Sequence, residues 1–126
     1  MQICCGVDII EIERIKKSIE NPKTGKAFLN RVYTIKEIDY CESKKKQKYQ
    51  HYAARFAAKE AVFKAISEKL ESKYSIDWKN IEVLNNEQGK PCFNLIGIEV
   101  QDIESMDLSI SHCRQYAVAN VTILFN

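Results

Sequence analysis

From Gln50 to Ser72 the chain contains neither Gly nor Pro, and Ala53, Ala54, Ala57, Ala58, Ala61 and Ala65 recur along it. Alanine has the highest intrinsic helix propensity, so the stretch reads as one long helix. Its many small side chains allow another element to pack closely against it. A chain of 126 residues has room for one modest core around such a helix. Residues 1–126 are therefore expected to form a single domain.

The flanks differ in kind. Ile3, Cys5, Val7 and Ile9 alternate with Cys4, Gly6, Asp8 and Ile10, the period-two pattern of a strand. Ile12, Ile15 and Ile19 then fall at helical spacing, and Asn21-Pro22 and Gly25 interrupt them. Phe28 to Val32 reads as a further helical turn. Thr34 followed by Glu37 forms a capping box for a helix that ends near Lys44-Lys45-Lys46. Beyond the long helix, Trp78–Leu84, Pro91–Ile98, Leu108–Cys113 and Tyr116–Phe125 read as strands. Asn86-Glu87-Gln88-Gly89 and Cys113-Arg114-Gln115 are the turns between them. One strand, then helices, then an antiparallel meander predict an α+β fold, a small antiparallel sheet packed with one long helix and shorter ones.

Charge is unevenly divided. Residues 1–74 hold 16 Lys/Arg against 10 Asp/Glu, and residues 75–126 hold 3 against 7. The basic surplus in the first part points to an anionic partner. The five cysteines, Cys4, Cys5, Cys41, Cys92 and Cys113, are odd in number and lack a C-x-x-C pair. They read as free, mostly buried thiols in a reducing compartment. No apolar run approaches the ~18 residues of a membrane span, so a cytoplasmic protein without a membrane partner is expected.

Three places hold residues suited to chemistry. Asp8 lies inside an apolar strand, where a carboxylate is costly unless paired or bound to a cation. Phe56, Glu60 and Lys64 share one face of the long helix. A solvated Glu60–Lys64 ion pair is the plain reading of that face, and a cleft lined by the two is the other. Asp107 to His112 forms the third place, with Ser109 and Ser111 on one face and His112 closing the strand. Ser111-His112 is no nucleophile–base pair, because neighbours on a strand point to opposite faces. Two carboxylates, a lysine and a histidine suit a Mg²⁺-assisted reaction at phosphate. Neither a Walker A sequence nor GxGxxG is present, so no Gly-rich loop cradles that phosphate.

The segments Gly6-Val7-Asp8-Ile9-Ile10-Glu11-Ile12-Glu13-Arg14-Ile15 and Arg55-Phe56-Ala57-Ala58-Lys59-Glu60-Ala61-Val62-Phe63-Lys64-Ala65 resemble the two signature motifs of the phosphopantetheinyl transferases. Gly89-Lys90-Pro91 and Leu108-Ser109-Ile110-Ser111-His112 follow in the same order, and the length matches the compact holo-[acyl-carrier-protein] synthase branch. The resemblance implies that fold, and transfer of phosphopantetheine from coenzyme A to a serine of apo acyl carrier protein in fatty acid biosynthesis. It implies Asp8 and Glu60 as Mg²⁺ ligands, with Lys64 over the phosphates on the Glu60 face. It implies coenzyme contacts from Ser111 and His112, and contacts to the 3′-phosphoadenosine end from Arg55, Lys90 and Pro91. It also implies a homotrimer with active sites between subunits, and carrier docking through Arg14, Lys17 and Phe28. The sequence departs from the family after Lys64-Ala65, where Ile66-Ser67-Glu68-Lys69 replaces a Gly-rich turn. Lys69 or Lys73 is the expected substitute for its backbone donors.

Two other readings are compatible with the composition. A binding module could use Tyr33, Tyr40, Tyr49 and Tyr52 beside Lys44–Lys48 to stack RNA bases, although the resemblance implies no nucleic acid partner. A small Mg²⁺-dependent phosphohydrolase is the other.

Overall fold

A computed structural model of the chain describes residues 1–72 and 76–126. The N-terminal alternation forms β1 (Gln2–Glu11), followed by α1 (Ile12–Glu20), α2 (Gly25–Val32) and α3 (Ile35–Glu42). The long helix is α4 (Lys48–Ile66). The chain continues through β2 (Ile81–Asn85), β3 (Pro91–Leu95), β4 (Ile103–His112) and β5 (Tyr116–Phe125). The α+β architecture is as expected.

β5 is the centre of a three-stranded antiparallel sheet, with β1 on one side and β4 on the other. Asp8 pairs with Ala119 and Gly6 with Val121. α4 lies across β1 and β5, and its Ala53, Ala57, Ala58 and Ala61 are fully buried. The approach is closest at Gly6, where a Cβ would stand 1.8 Å from the Ala61 carbonyl oxygen. Only glycine permits that spacing. Cys4, Gly6, Asp8 and Ile10 share the face of β1 turned to α4, while Ile3, Cys5, Val7 and Ile9 face away. Ile3, Val7 and Ile9 are exposed large apolar side chains, and Tyr116 on β5 lies on the same outer face.

Several expectations need correction. The long helix stops at Ile66 and passes into a 3₁₀ turn over Ser67–Lys69, with the Ser67 hydroxyl donating to the Lys64 carbonyl at 3.0 Å. The four C-terminal strands do not form one meander. β2 and β3 make a separate two-stranded sheet, and only β4 and β5 join β1. Trp78–Asn80 is a 3₁₀ turn capped by Asp77, so β2 begins at Ile81. β3 ends at Leu95, and β4 starts earlier than its apolar pattern suggests, at Ile103. Among the cysteines only Cys41 is buried; Cys5, Cys92 and Cys113 are exposed because strand alternation and the hairpin turn place them outward. Tyr33 and Tyr52 are fully buried and cannot stack on RNA. The Tyr33 hydroxyl donates to the Tyr52 carbonyl at 2.8 Å, which places that ring in the core.

The expected capping box is present. Thr34 Oγ1 accepts from Glu37 N, and Glu37 Oε1 accepts from Thr34 N at 2.8 Å. Glu37 also anchors the core: Oε1 pairs with Lys59 Nζ at 2.8 Å and Oε2 accepts from Val83 N at 2.9 Å. Lys59 Nζ donates further to the carbonyls of Trp78 and Ile81. A fully buried ammonium is tolerable here because one carboxylate and two carbonyls replace its water.

Candidate active site

β1 and α4 bring Asp8, Glu60 and Lys64 together. Asp8 is half-buried on the α4-facing side of its strand. Lys64 Nζ donates to Asp8 Oδ1 at 3.2 Å and to the Val7 carbonyl at 2.9 Å. The i,i+4 pairing with Glu60 is thus replaced by a bond across to β1. Glu60 is also half-buried, and its carboxyl is held above the usual range by burial first and by the Asp8 charge second, with Lys64 acting in the opposite sense. The two carboxylates therefore feel each other. Beside them a cavity of about 200 Å³ opens, lined by Glu60, Phe63, Ile76, Trp78 and Ile81 above Lys59.

The donor set can be tested against a divalent cation. Among the described residues no group of three His, Cys, Asp or Glu gathers as a metal cage. A mutually repelling carboxylate pair suits instead an ion that takes most of its ligands from phosphate and water, the habit of Mg²⁺.

A second cluster lies on the other side of α4. Nine residues, about two and a half turns, separate Arg55 from Lys64, which puts them on opposite faces and about 13 Å apart along the axis. Arg55 is 3% exposed. Its guanidinium stacks 4.0 Å from the centre of the Tyr40 ring, and Nη2 donates to Asn85 Oδ1 at 2.9 Å. The His51 ring stands edge-on to Tyr40 at 5.5 Å and to His112 at 6.1 Å. Burial, then the charges of Arg55, Lys44 and His112, push the His51 imidazole down to about 4. His112 thus joins Arg55's neighbourhood, whereas Ser111 projects from the opposite face of β4. Lys90 and Pro91 line a third recess with Asp107, and Lys90 Nζ pairs with the Asp107 carboxylate.

The basic candidates on α1 and α2 also separate. Lys17 and Phe28 line a groove with Ser18, Asn21, Thr24 and Arg31. Arg14 is exposed on α1 outside that lining. Phe28 is partly packed, stacking at 6.4 Å on Phe56, which stacks at 4.7 Å on Trp78. Lys69 is directed over the Phe125 ring at 4.9 Å, and Lys73 lies outside the described residues. Tyr40, His51 and Asn85 join the Arg55 cluster without any motif to announce them. A lone histidine in a helix and an asparagine before a turn are both common, so only their convergence distinguishes them.

Comparisons with known proteins agree over the whole chain. Residues 4–121 match the model of the 4′-phosphopantetheinyl transferase superfamily. A holo-[acyl-carrier-protein] synthase of Ruminiclostridium cellulolyticum is 45% identical over 128 aligned positions, covering 98% of this chain and 92% of the relative. A Bacillus anthracis holo-(acyl-carrier-protein) synthase, solved in complex with CoA (3′,5′-ADP), superposes with a TM-score of 0.76 at 33% identity over 95% of this chain and 94% of that one. A Chronobacterium ammoniagenes ACPS–CoA complex superposes with a TM-score of 0.84 over 100% of this chain and 99% of that one; at 24% identity this is a likeness of fold.

Proposed function

The chain belongs to the 4′-phosphopantetheinyl transferase superfamily, and on that premise we propose that it is a holo-[acyl-carrier-protein] synthase. It transfers 4′-phosphopantetheine from coenzyme A to a serine of apo acyl carrier protein. The serine oxygen bonds to the β-phosphorus, the bond from that phosphorus to the bridging oxygen breaks, and adenosine 3′,5′-bisphosphate leaves. The observation that carries this reading is the meeting of Asp8, Glu60 and Lys64 across β1 and α4.

Asp8 and Glu60 are the residues to hold Mg²⁺, which would offset pyrophosphate charge in a reaction dominated by positioning and charge neutralisation. Lys64 adds a positive charge beside them and steadies Asp8. The Phe63, Ile76, Trp78 and Ile81 wall of the cavity next to Glu60 suits the uncharged arm of the coenzyme. Arg55, Lys90, Pro91, Ser111 and His112 serve the coenzyme's other end. In one chain Arg55 and Lys64 lie on opposite faces of α4, which favours a coenzyme site completed by a second protomer. The exposed apolar face of Ile3, Val7, Ile9 and Tyr116 supplies a surface for such an assembly, which we take to be a trimer. Arg14, Lys17 and Phe28 dock the acidic carrier.

No helix of the described residues is long and apolar enough to cross a membrane, which accords with a cytoplasmic enzyme of fatty acid biosynthesis. Incubation with coenzyme A, Mg²⁺ and apo carrier, read by mass spectrometry, tests the reading. Carrier gaining phosphopantetheine with release of adenosine 3′,5′-bisphosphate is expected. Coenzyme hydrolysis without carrier modification would favour a phosphohydrolase instead.

A further inference from the structure

Asn85 is the last residue of β2, exposed, and assigned no role by any motif. Its amide nevertheless joins three elements. Oδ1 accepts from Arg55 Nη2 on α4 at 2.9 Å. Nδ2 donates to the Gly89 carbonyl at 3.0 Å and to the Tyr40 hydroxyl of α3 at 3.3 Å. Gly89 is the left-handed residue, φ 82°, of the turn that presents Lys90. Asn86 completes that turn, with Oδ1 accepting from Lys90 N at 2.9 Å and from Gln88 N at 3.0 Å.

Arg55 depends on this amide. Among the described residues its Nε is buried without a partner, and Asn85 is the hydrogen-bond partner of its guanidinium. Stacking on Tyr40 fixes the plane of the guanidinium but not its rotation within that plane. The Asn85 carbonyl supplies the missing direction. An aspartate there would still accept from Arg55, but it would cancel the charge and lose the bonds that Nδ2 donates to Gly89 and Tyr40. A neutral amide orients the cation and leaves its charge uncompensated.

We propose that Asn85 is a positioning and specificity residue for the phosphorylated end of the coenzyme, aiming the Arg55 guanidinium and the Lys90 turn together while leaving Arg55 positive. This rests on the reading that Arg55 and Lys90 meet the 3′-phosphoadenosine end. The ligand class is a nucleotide bearing a phosphate monoester on its ribose.

Steady-state kinetics with coenzyme A and with 3′-dephospho-coenzyme A separate the possibilities. Asn85→Asp should raise KM for coenzyme A about tenfold, the scale of one charge-assisted contact. Its KM for the dephosphorylated substrate and its KM for the carrier should be unchanged. Asn85→Ala, which loses orientation but keeps the charge, should raise KM for coenzyme A by less, with kcat retained. A merely structural amide predicts that both variants raise KM for coenzyme A and for 3′-dephospho-coenzyme A alike, and that pattern would overturn the proposal. Lys90→Ala and Arg55→Lys serve as the control. If neither changes discrimination between the two substrates, the placement of the coenzyme end fails, and the Asn85 proposal fails with it. If both change it and Asn85→Asp does not, only the Asn85 proposal fails.

Discussion

Gly6 rests on the backbone of Ala61 so closely that a Cβ on Gly6 would lie 1.8 Å from the Ala61 carbonyl oxygen and 2.8 Å from its carbon. This contact sets the distance between β1 and α4, and hence between Asp8, two residues along the strand, and Glu60, beside Ala61 on the helix. Replacing Gly6 with Ala forces strand and helix apart, because backbone cannot escape by changing rotamer. Gly6→Ala should cost at least ~1–3 kcal/mol, the range for overpacking a core, and should depress transfer beyond what lost stability explains. Urea denaturation together with kcat at a temperature where the variant is fully folded checks both. Wild-type activity would show that the close approach does not set the site.

Glu60 pits stability against function. Its carboxyl is held above the ordinary range by burial and by Asp8, so the folded state takes up this proton more readily than the unfolded chain. Stability from this group is therefore present at low pH and lost as pH rises through the raised value. Glu60→Gln should melt above wild type at neutral pH, converge with it below about pH 4, where the unfolded carboxyl also protonates, and transfer nothing. A lower melting temperature at neutral pH would refute the cost that burial and Asp8 place on the ionised Glu60 carboxylate.

Lys59 and Lys64 should separate cleanly. Lys59 is fully buried against Glu37, so Lys59→Met strands a buried carboxylate and should cost about 3–5 kcal/mol. The Lys64 side chain is 51% exposed, and its bond to Asp8 is worth at most ~1 kcal/mol. Lys64→Met should leave stability within that margin and remove most of the transfer rate. Denaturation midpoints and kcat measured on both variants decide the matter, and equal loss of stability in the two would overturn the distinction.

His51 should make the fold acid-sensitive. Its imidazole is pushed down to about 4, mainly by burial, while an unfolded histidine titrates near 6.5. Between those values the unfolded chain binds the extra proton, so this group's stability is full above about pH 6.5 and is lost as pH falls toward 4. His51→Phe keeps a ring against Tyr40 and should flatten the melting profile across that window. An unchanged slope would assign the acid sensitivity elsewhere.

The outer face of β1 gives a test of assembly. Ile3 is 67% exposed and far along the strand from Asp8. Ile3→Lys should shift the particle toward monomer in analytical ultracentrifugation and lower transfer with it. A monomeric variant with full activity would remove the need for a site shared between protomers.

The local elements were legible in the order of residues. Alanine content announced α4, alternation announced β1, and Thr34 with Glu37 announced the start of α3, because each depends on neighbours a few residues apart. Asp8, Glu60 and Lys64 were legible through their motifs, and the family through the spacing of those motifs. Pairing was not. That β4 and β5 join β1 while β2 and β3 stand apart depends on contacts between distant segments, which no local period records. Tertiary packing alone decided that Lys64 bonds Asp8 rather than Glu60, that Lys59 is a buried strut, and that Tyr33 belongs to the core. It also gathered Tyr40, His51, Arg55 and Asn85 from α3, α4 and β2. Propensity and periodicity act along the chain, whereas a site is made by the faces that pack together across it.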